Sequence, residues 1–336
     1  MASVSVIVPV YNVEAYLRRC LDSLVMQTLE DIEIIVVNDA SPDRSIEIMK
    51  EYQHKYPDKI TVIDSNVNLR QGGARNLGIR ASRSEYIGFV DSDDWVDVNM
   101  YEQLYTTAIE KDADVVSCNM IRVLNEEECF PFYQRDLSAI TGTLDAGKRE
   151  EIMLNGASPG VVSKIYRKNL IYDHDIWFPE RLFYEDNLWG ALIFLYARNY
   201  YHLNEAFYYY YYNDNSTVAS IESMHHFDRL VIETMKLDEY RKRGFYEQYK
   251  DAIEYSFIQL YYINSLHLAF TRFNRPPFTK VFEMRKYMKD HFPNYRHNKY
   301  FGQINEIGRM LSGITDLSPY KAYEWYKSVL MRGRIE

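Results

Sequence analysis

The chain has few cysteines and no long hydrophobic run, which argues against a disulfide-stabilised protein and against a membrane-spanning one. Its 336 residues include three cysteines, Cys20, Cys118 and Cys129, with neither a CxxC pair nor metal-ligand spacing. We therefore expect core thiols in a reducing compartment, which excludes a disulfide framework. No stretch approaches the ~18 consecutive apolar residues of a membrane span, and a strand pattern beginning close to Met1 leaves no space for a signal peptide. These absences predict a cytoplasmic protein.

Charge is distributed unevenly along the chain. Residues 1–220 hold 20 Lys+Arg against 34 Asp+Glu, whereas residues 221–336 hold 19 against 14. The acidic N-terminal part argues against nucleic acid as a partner. The mildly basic C-terminal part is compatible with an anionic membrane surface or with docking onto an acidic face. Peripheral contact with the inner face of the cell membrane and homo-oligomer formation through this part therefore both stay open.

Apolar segments alternate with helical patterns over the first 120 residues. Leu17, Cys20, Leu21 and Leu24 recur at the spacing of an amphipathic helix. Further helices are expected near residues 42–56, 74–81 and 100–109, and strands at residues 4–9, 32–37, 59–64, 86–90 and 113–119. Helical crossovers between near-continuous apolar strands predict an α/β fold with a doubly wound, mostly parallel sheet.

The alternation stops near residue 125, which suggests three regions. Residues 1–125 form the predicted α/β domain. Residues 126–220 mix short apolar runs with loops and include five consecutive tyrosines, 208–212. Residues 221–336 have a helical, aromatic pattern and are expected to form a C-terminal helical domain.

Three carboxylates follow the fourth predicted strand within four positions. Asp91, Asp93 and Asp94 come directly after the apolar run 86–90. Ligands of open α/β sheets bind beyond the carboxyl ends of the strands. Clustered carboxylates repel one another, so a divalent cation carrying a phosphorylated ligand would relieve the conflict through hard oxygen ligands. The alternative interpretation is a solvated acidic turn that caps the next helix.

Three segments, in order and each at a strand end, resemble family 2 glycosyltransferases of the GT-A fold. They are VSVIVPVYN through VVNDASPD within residues 4–45, QGGARNLG at 71–78 and DSDD at 91–94. The resemblance implies that residues 1–125 bind a nucleotide-sugar, most simply a UDP-sugar, and that residues 126–220 bind the acceptor and carry the catalytic base. The acceptor would be a hydroxyl of a growing glycan or surface polysaccharide, or of a lipid-linked or protein-linked sugar.

The resemblance also implies which residues bind the donor. The residues that end the first strand and line the base pocket are Pro9, Val10, Tyr11 and Asn12. Asp39 matches the aspartate that hydrogen-bonds the uracil edge, and Gly72 permits close backbone approach. Arg75 carries a fork-shaped cation suited to phosphate oxygens. The alternatives are an ordinary turn for residues 9–12, a helix N-terminal charge for Asp39 and a surface salt bridge for Arg75.

Within the acidic motif the resemblance separates roles. Asp91, with Ser92 beside it, faces the nucleotide ribose, and Asp93 coordinates the Mn²⁺ or Mg²⁺ that bridges the diphosphate. Asp94 supports this arrangement or caps a helix. A metal there would stabilise the charge that develops on the departing nucleoside diphosphate.

The Glu185–Asp186 pair is the predicted site of the catalytic base. It follows the segment KIYR at residues 164–167, which is similar to a segment of the family, and the resemblance places the base on Asp186, with Glu185 as its companion. An acceptor hydroxyl needs a base to remove its proton during attack. One base and one metal imply a single displacement with inversion. A solvated helix start is the alternative, and Asp175 and Asp214 are the next carboxylates.

Four further side chains are predicted on the acceptor side. They are Lys164, Trp177, Trp189 and Tyr212, and core packing is the alternative for the three aromatic residues. Two other functions stay open for the chain as a whole. One is a non-catalytic partner subunit that binds a nucleotide-sugar, and the other is a nucleotidyltransferase, although residues 10–14 lack its glycine-rich basic loop.

Overall fold

The structure is a computed structural model that describes residues 2–124, 128–132, 136–157, 160–212 and 221–332. The chain divides into two compact units, Met1–Asn213 and Asp214–Glu336. The N-terminal unit is built around one large sheet, and the C-terminal unit is helical.

Ten strands of the described chain form the sheet of the N-terminal unit. They are β1 (Val4–Val10), β2 (Ile32–Asp39), β3 (Ile60–Ser65), β4 (Tyr86–Phe89), β5 (Trp95–Val96), β6 (Val115–Val123), β7 (Cys129–Pro131), β8 (Gly142–Thr143), β9 (Lys164–Arg167) and β10 (Asn199–Tyr211). Their order is β3-β2-β1-β4-β9-β6-β10-β5, with β7 against β6 and β8 against β10. Strands β1, β2, β3, β4, β6 and β10 run in one direction, and the other four run opposite to them.

The direction of the central strands follows from their composition. Every residue of β1 is buried, as is nearly every residue of β2, which is expected of parallel strands that have layers on both faces. The predicted α/β class with a doubly wound, mostly parallel sheet is confirmed. Strands β9 and β10 join the same sheet as β1–β6, so the predicted donor and acceptor regions share it, and the division into three regions stays a prediction.

Seven helices of the described chain accompany this sheet. They are α1 (Leu17–Val25), α2 (Ser45–Lys55), α3 (Arg70–Ala81), α4 (Met100–Glu110), α5 (Ala146–Asn155), α6 (Asn169–Asp173) and α7 (Glu185–Tyr196). Two begin away from their predicted starts. Helix α2 starts three residues after Pro42, because Asp43 Oδ1 accepts hydrogen bonds from Ser41 Oγ and the Ser45 N–H in the preceding turn. Helix α3 starts four residues before Ala74 and includes Gly72 and Gly73.

The C-terminal unit is helical, as predicted for this region. Its helices in the described chain are α8 (Asp228–Lys242), α9 (Lys250–Phe257), α10 (Ser265–Thr271), α11 (Phe278–His291), α12 (Glu306–Leu317) and α13 (Pro319–Arg332), and the π-helical segment Ile258–Asn264 joins α9 to α10. The Asp316 carboxylate on α12 links two other segments of the unit, because it accepts hydrogen bonds from the hydroxyls of Tyr262 at 2.7 Å and Tyr295 at 2.9 Å. Across the described ranges, none of the helices has the length and apolar character that crossing a membrane requires.

Candidate active site

Asp94 fixes the acidic turn to strand β10. Its buried carboxylate accepts hydrogen bonds from the Tyr208 hydroxyl at 2.6 Å and the Tyr211 N–H at 2.8 Å. Burial, followed by the charges of Asp93 and Asp91, raises the pKa of this carboxyl well above its usual range. Asp94 is therefore neither solvated nor a helix cap, and it holds the turn against the tyrosine-rich strand.

Arg75 joins the acidic turn to the Glu-Asp pair. Its buried guanidinium donates from Nη1 to Glu185 Oε1 at 2.5 Å and from Nη2 to Asp91 Oδ1 at 2.9 Å. Burial alone would lower the pKa of Arg75, but the charges of Asp91, Glu185 and Asp186 outweigh it and the pKa is raised. The surface salt bridge considered for Arg75 is wrong, because both the arginine and Glu185 are buried.

Asp93 is the carboxylate of the turn that stays available. Within the described chain it forms no ion pair and accepts no hydrogen bond from another side chain, whereas Asp91 and Asp94 are both engaged. Burial and the charge of Asp91 raise the pKa of Asp93 to about 6. The free oxygens of this carboxylate are of the ligand type that the predicted Mn²⁺ or Mg²⁺ prefers. The described residues contain no group of three or more His, Cys, Asp or Glu side chains that could hold a metal ion.

Asp186 lies in the first turn of α7, next to the ion pair but outside it. It is half-buried and has no ion pair among the described residues. Burial raises the pKa of Asp186, and the nearby charge of Arg75 limits that rise. The burial that raises the pKa of Glu185 is likewise opposed by Arg75. The two neighbours thus differ in role, since Glu185 holds the arginine while the Asp186 carboxylate can accept a proton.

The four residues predicted to line the base pocket lie at the end of β1 and directly after it. Pro9 and Val10 are buried in the strand, Tyr11 is 50% exposed, and Asn12 has a φ of 54°. The Asn12 N–H donates to Ser41 Oγ at 2.7 Å, which connects this turn to the loop after β2.

Asp39 supports the start of α3. The buried carboxylate accepts from the Leu69 N–H at 2.7 Å, and burial raises its pKa against the effect of this bond. The described contacts of Asp39 therefore point towards α3, and not to the helix α2 for which a charge role was considered.

Gly72 and Asn76 fix helix α3 against residues 178–185, and Asn76 was not among the predicted site residues. A Cβ on Gly72 would lie 2.3 Å from the Pro179 carbonyl oxygen, so only glycine permits this approach. The Asn76 side chain donates to the Phe178 carbonyl at 2.9 Å and accepts from the Phe178 N–H at 3.0 Å. The signal for Asn76 was its place in the QGGARNLG segment, one residue after Arg75.

Arg19 is another contributor that sequence reasoning missed. It donates from Nη2 to the Asp93 carbonyl oxygen at 2.9 Å, and its guanidinium lies 3.8 Å from the Trp95 ring centroid and 4.6 Å from that of Tyr211. This cation–π arrangement holds α1 against the acidic turn. Ser92 is buried within the same turn.

The four predicted acceptor-side residues occupy different environments. Trp189 is fully buried and its ring stacks on Phe178 at 4.6 Å, as its core-packing alternative requires. Lys164 is also fully buried, and its Nζ donates to the Gly160 carbonyl at 2.9 Å. Burial lowers the pKa of Lys164 to about 7.

The other two acceptor-side residues are half-buried. The Trp177 indole N–H donates to Asp175 Oδ1 at 2.8 Å, and Arg122 lies 4.5 Å from the Tyr212 ring centroid. Asp214, the other carboxylate considered, lies outside the described residues.

The family model and the similar curated proteins all describe glycosyltransferases. The model of Glycosyl transferase family 2 matches residues 5–164. The chain is 35% identical over 223 residues to the uncharacterized glycosyltransferase EpsJ of Bacillus subtilis, a match covering 63% of the chain and 62% of EpsJ. It is 33% identical over 253 residues to the putative glycosyltransferase EpsH of the same organism, covering 71% of the chain and 72% of EpsH.

A solved structure extends the likeness over both units. The chain is similar to the crystal structure of Staphylococcus aureus TarS 1–349 in complex with UDP-GlcNAc, with a TM-score of 0.76 and 22% identity. The match covers 97% of the present chain and 92% of the TarS chain. At this identity the likeness shows the fold.

Proposed function

Since the chain belongs to glycosyltransferase family 2 and has the GT-A fold, we propose that it is an inverting, metal-dependent enzyme that transfers a sugar from a UDP-sugar to an acceptor hydroxyl of a growing glycan or surface polysaccharide. The observation that carries this proposal is the buried guanidinium of Arg75 between Asp91 and Glu185. It joins the acidic turn and the start of α7 in one cluster. Donor and acceptor chemistry would therefore meet there.

The donor side rests on the available carboxylate of Asp93. This residue would hold Mn²⁺ or Mg²⁺, which supplies charge stabilisation to the departing diphosphate. The TarS structure contains UDP-GlcNAc, which supports a UDP-linked donor. Asp91, held by Arg75 at 2.9 Å, would face the ribose, and Tyr11, half exposed at the end of β1, would offer a ring face to the base.

The acceptor step rests on Asp186. The proton of the acceptor hydroxyl passes to the Asp186 carboxylate while the oxygen forms a bond to the anomeric carbon and the bond to the diphosphate oxygen breaks. Attack from the face opposite the leaving group inverts the configuration. Glu185 holds Arg75 in place and keeps positive charge beside the ionised base.

A donor screen tests the proposal. Purified protein is mixed with individual nucleotide-sugars and glycan acceptors, with Mn²⁺, with Mg²⁺ or with chelator, and released nucleoside diphosphate is measured. We expect UDP release from one UDP-sugar only with metal and acceptor present, and loss of that release in Asp186→Asn.

Calorimetry on the same samples measures donor binding, and it therefore distinguishes a protein that binds no donor from one that binds it without turnover. Donor binding without turnover in the unaltered protein would instead identify a non-catalytic, nucleotide-sugar-binding subunit. Turnover in the presence of chelator would contradict the metal dependence.

A further inference from the structure

Helix α12 has its apolar face turned outwards. The residues of this face recur at i, i+3, i+7 and i+10, and they are Ile307, Met310, Ile314 and Leu317. Leu317 is 82% exposed, Ile307 45% and Met310 44%. The opposite, buried face is mostly small or polar and comprises Gly308, Leu311, Ser312 and Thr315. An ordinary surface helix has the reverse arrangement.

Two aromatic side chains add to this apolar surface. Tyr320 follows Leu317 by three residues and is 58% exposed, and its ring lies 5.7 Å from that of Phe282, which is 39% exposed. We call the outer face of α12 together with Phe282 and Tyr320 the α12 surface. The helix spacing groups the side chains of α12, and the ring contact groups Phe282 with Tyr320. Large groups of exposed apolar side chains mark interaction sites.

Positive charge accompanies the α12 surface. Residues 278–332 hold 10 Lys+Arg against 5 Asp+Glu, whereas residues 221–277 hold 8 of each. Lys286 and Lys289 are exposed one and two turns after Phe282 on the same face of α11. The Lys286 side chain is 80% exposed, although it also pairs with Asp290.

We propose that the α12 surface docks onto an anionic lipid bilayer as a peripheral contact. Exposed leucine, isoleucine and methionine side chains can enter the boundary between head groups and acyl chains. Tyr320 suits the same depth, because its ring is apolar and its hydroxyl is polar. The excess of lysine and arginine is attracted to acidic head groups. A symmetric contact between two copies of this surface would instead bring two excesses of positive charge together.

Vesicle sedimentation of the full chain tests this inference, which is independent of the proposed sugar transfer. The vesicles contain either phosphatidylcholine alone or phosphatidylcholine with phosphatidylglycerol. We expect at least tenfold stronger binding to the anionic vesicles and weaker binding at high salt. The double variant Met310→Ser/Leu317→Ser should lose at least tenfold in that binding, and Lys286→Gln/Lys289→Gln should lose mainly the preference for anionic lipid.

The matched control is Val231→Ser/Met235→Ser on α8. These residues are 47% and 37% exposed in the same unit, and their replacement should leave vesicle binding unchanged. Circular dichroism and thermal unfolding establish that all variants are folded. The inference is overturned if the α12 variant binds vesicles as the unaltered protein does. It is also overturned if the unaltered protein binds no vesicles. Conversion of an oligomer into a monomer by the α12 variant would then identify the surface as a protein interface.

Discussion

Glu185 and Asp186 are neighbours in sequence with different surroundings, so their replacement should have different effects. Asp186→Asn removes the proposed base without changing side-chain volume, and we expect a rate loss of ~10²–10⁴ with nearly normal UDP binding. Glu185→Gln weakens the contact with Arg75 at 2.5 Å, and we expect a loss of about 1–3 kcal/mol in the free energy of unfolding with a smaller direct effect on transfer. Transfer rates per folded molecule, measured together with thermal unfolding, separate an effect on catalysis from an effect on stability.

The opposite pattern would move the base by one residue. If Glu185→Gln abolished transfer while Asp186→Asn stayed active, Glu185 would have to leave Arg75 to accept the proton. If both variants kept full activity, Asp175 would be the next candidate for the catalytic base. Its side chain is exposed and accepts a hydrogen bond from the Trp177 indole N–H.

The pH dependence of transfer should report on Asp186. A general base acts in its ionised form, and burial raises the pKa of Asp186 above that of an ordinary aspartate. The rate should therefore rise with pH through this elevated pKa, so that the acidic limb of kcat/KM lies at higher pH than for a solvated carboxylate. The residual activity of Asp186→Asn should lack that limb, and its persistence there would assign the limb to another group.

Asp93→Asn should separate metal binding from folding. The Asp93 side chain has no described ion pair whose loss would destabilise the fold, and its ionised form is disfavoured by burial and by the charge of Asp91. We therefore expect thermal unfolding without ligand at neutral pH to occur at the same temperature as in the unaltered protein or at a higher one. We expect loss of metal-dependent UDP binding in calorimetry, because one charged ligand becomes neutral. Asp290→Asn, an exposed aspartate paired with Lys286, is the control and should bind as the unaltered protein does. Unchanged metal-dependent affinity in Asp93→Asn would contradict the assignment.

At the scale of elements, the position of α3 depends on one glycine. Gly72→Ala would place a Cβ 2.3 Å from the Pro179 carbonyl oxygen, and the shift needed to relieve this contact should cost about 1–3 kcal/mol in the free energy of unfolding. Gly190→Ala in α7 is the control, because nothing lies within 4 Å of its Cβ position. There a gain of up to ~1 kcal/mol is expected from helix propensity. Chemical denaturation measures the free energy of unfolding of both variants. If Gly72→Ala were as stable as the unaltered protein, α3 could shift away from Pro179 without cost.

Periodic elements could be predicted from sequence, whereas elements fixed by distant contacts could not. Leu17, Cys20, Leu21 and Leu24 are all buried on α1, as their spacing predicts. Strand β5 has two residues and therefore no measurable periodicity, and it exists because Trp95 and Val96 pair with β10. The early start of α3 was missed because two glycines normally interrupt a helix, and here they permit close packing.

The same limit applies to the candidate site. The order of the motifs and their resemblance to a family predicted Arg75, Asp91 and Glu185 as site residues. Their mutual contact could not be derived from spacing, since Arg75 is separated by 16 residues from Asp91 and by 110 from Glu185. The bond of Asp94 to Tyr208 joins residues 114 apart. Without the pairing of β10 with β5, that tyrosine could be assigned only to one face of a strand.

At the scale of the whole molecule, the donor residues should all belong to the N-terminal unit. Donor binding should therefore slow amide exchange first within residues 4–12, 69–75 and 91–96, measured by hydrogen–deuterium exchange with UDP and Mn²⁺. At a ligand concentration of ~100 times Kd, stabilisation by ~2.7 kcal/mol is expected for exchange that requires unfolding of the ligand-binding unit. Asp93→Asn should lose this protection while keeping its exchange pattern without ligand. Protection confined to residues 221–332 would contradict the proposed site, because none of the residues assigned to the donor lies there.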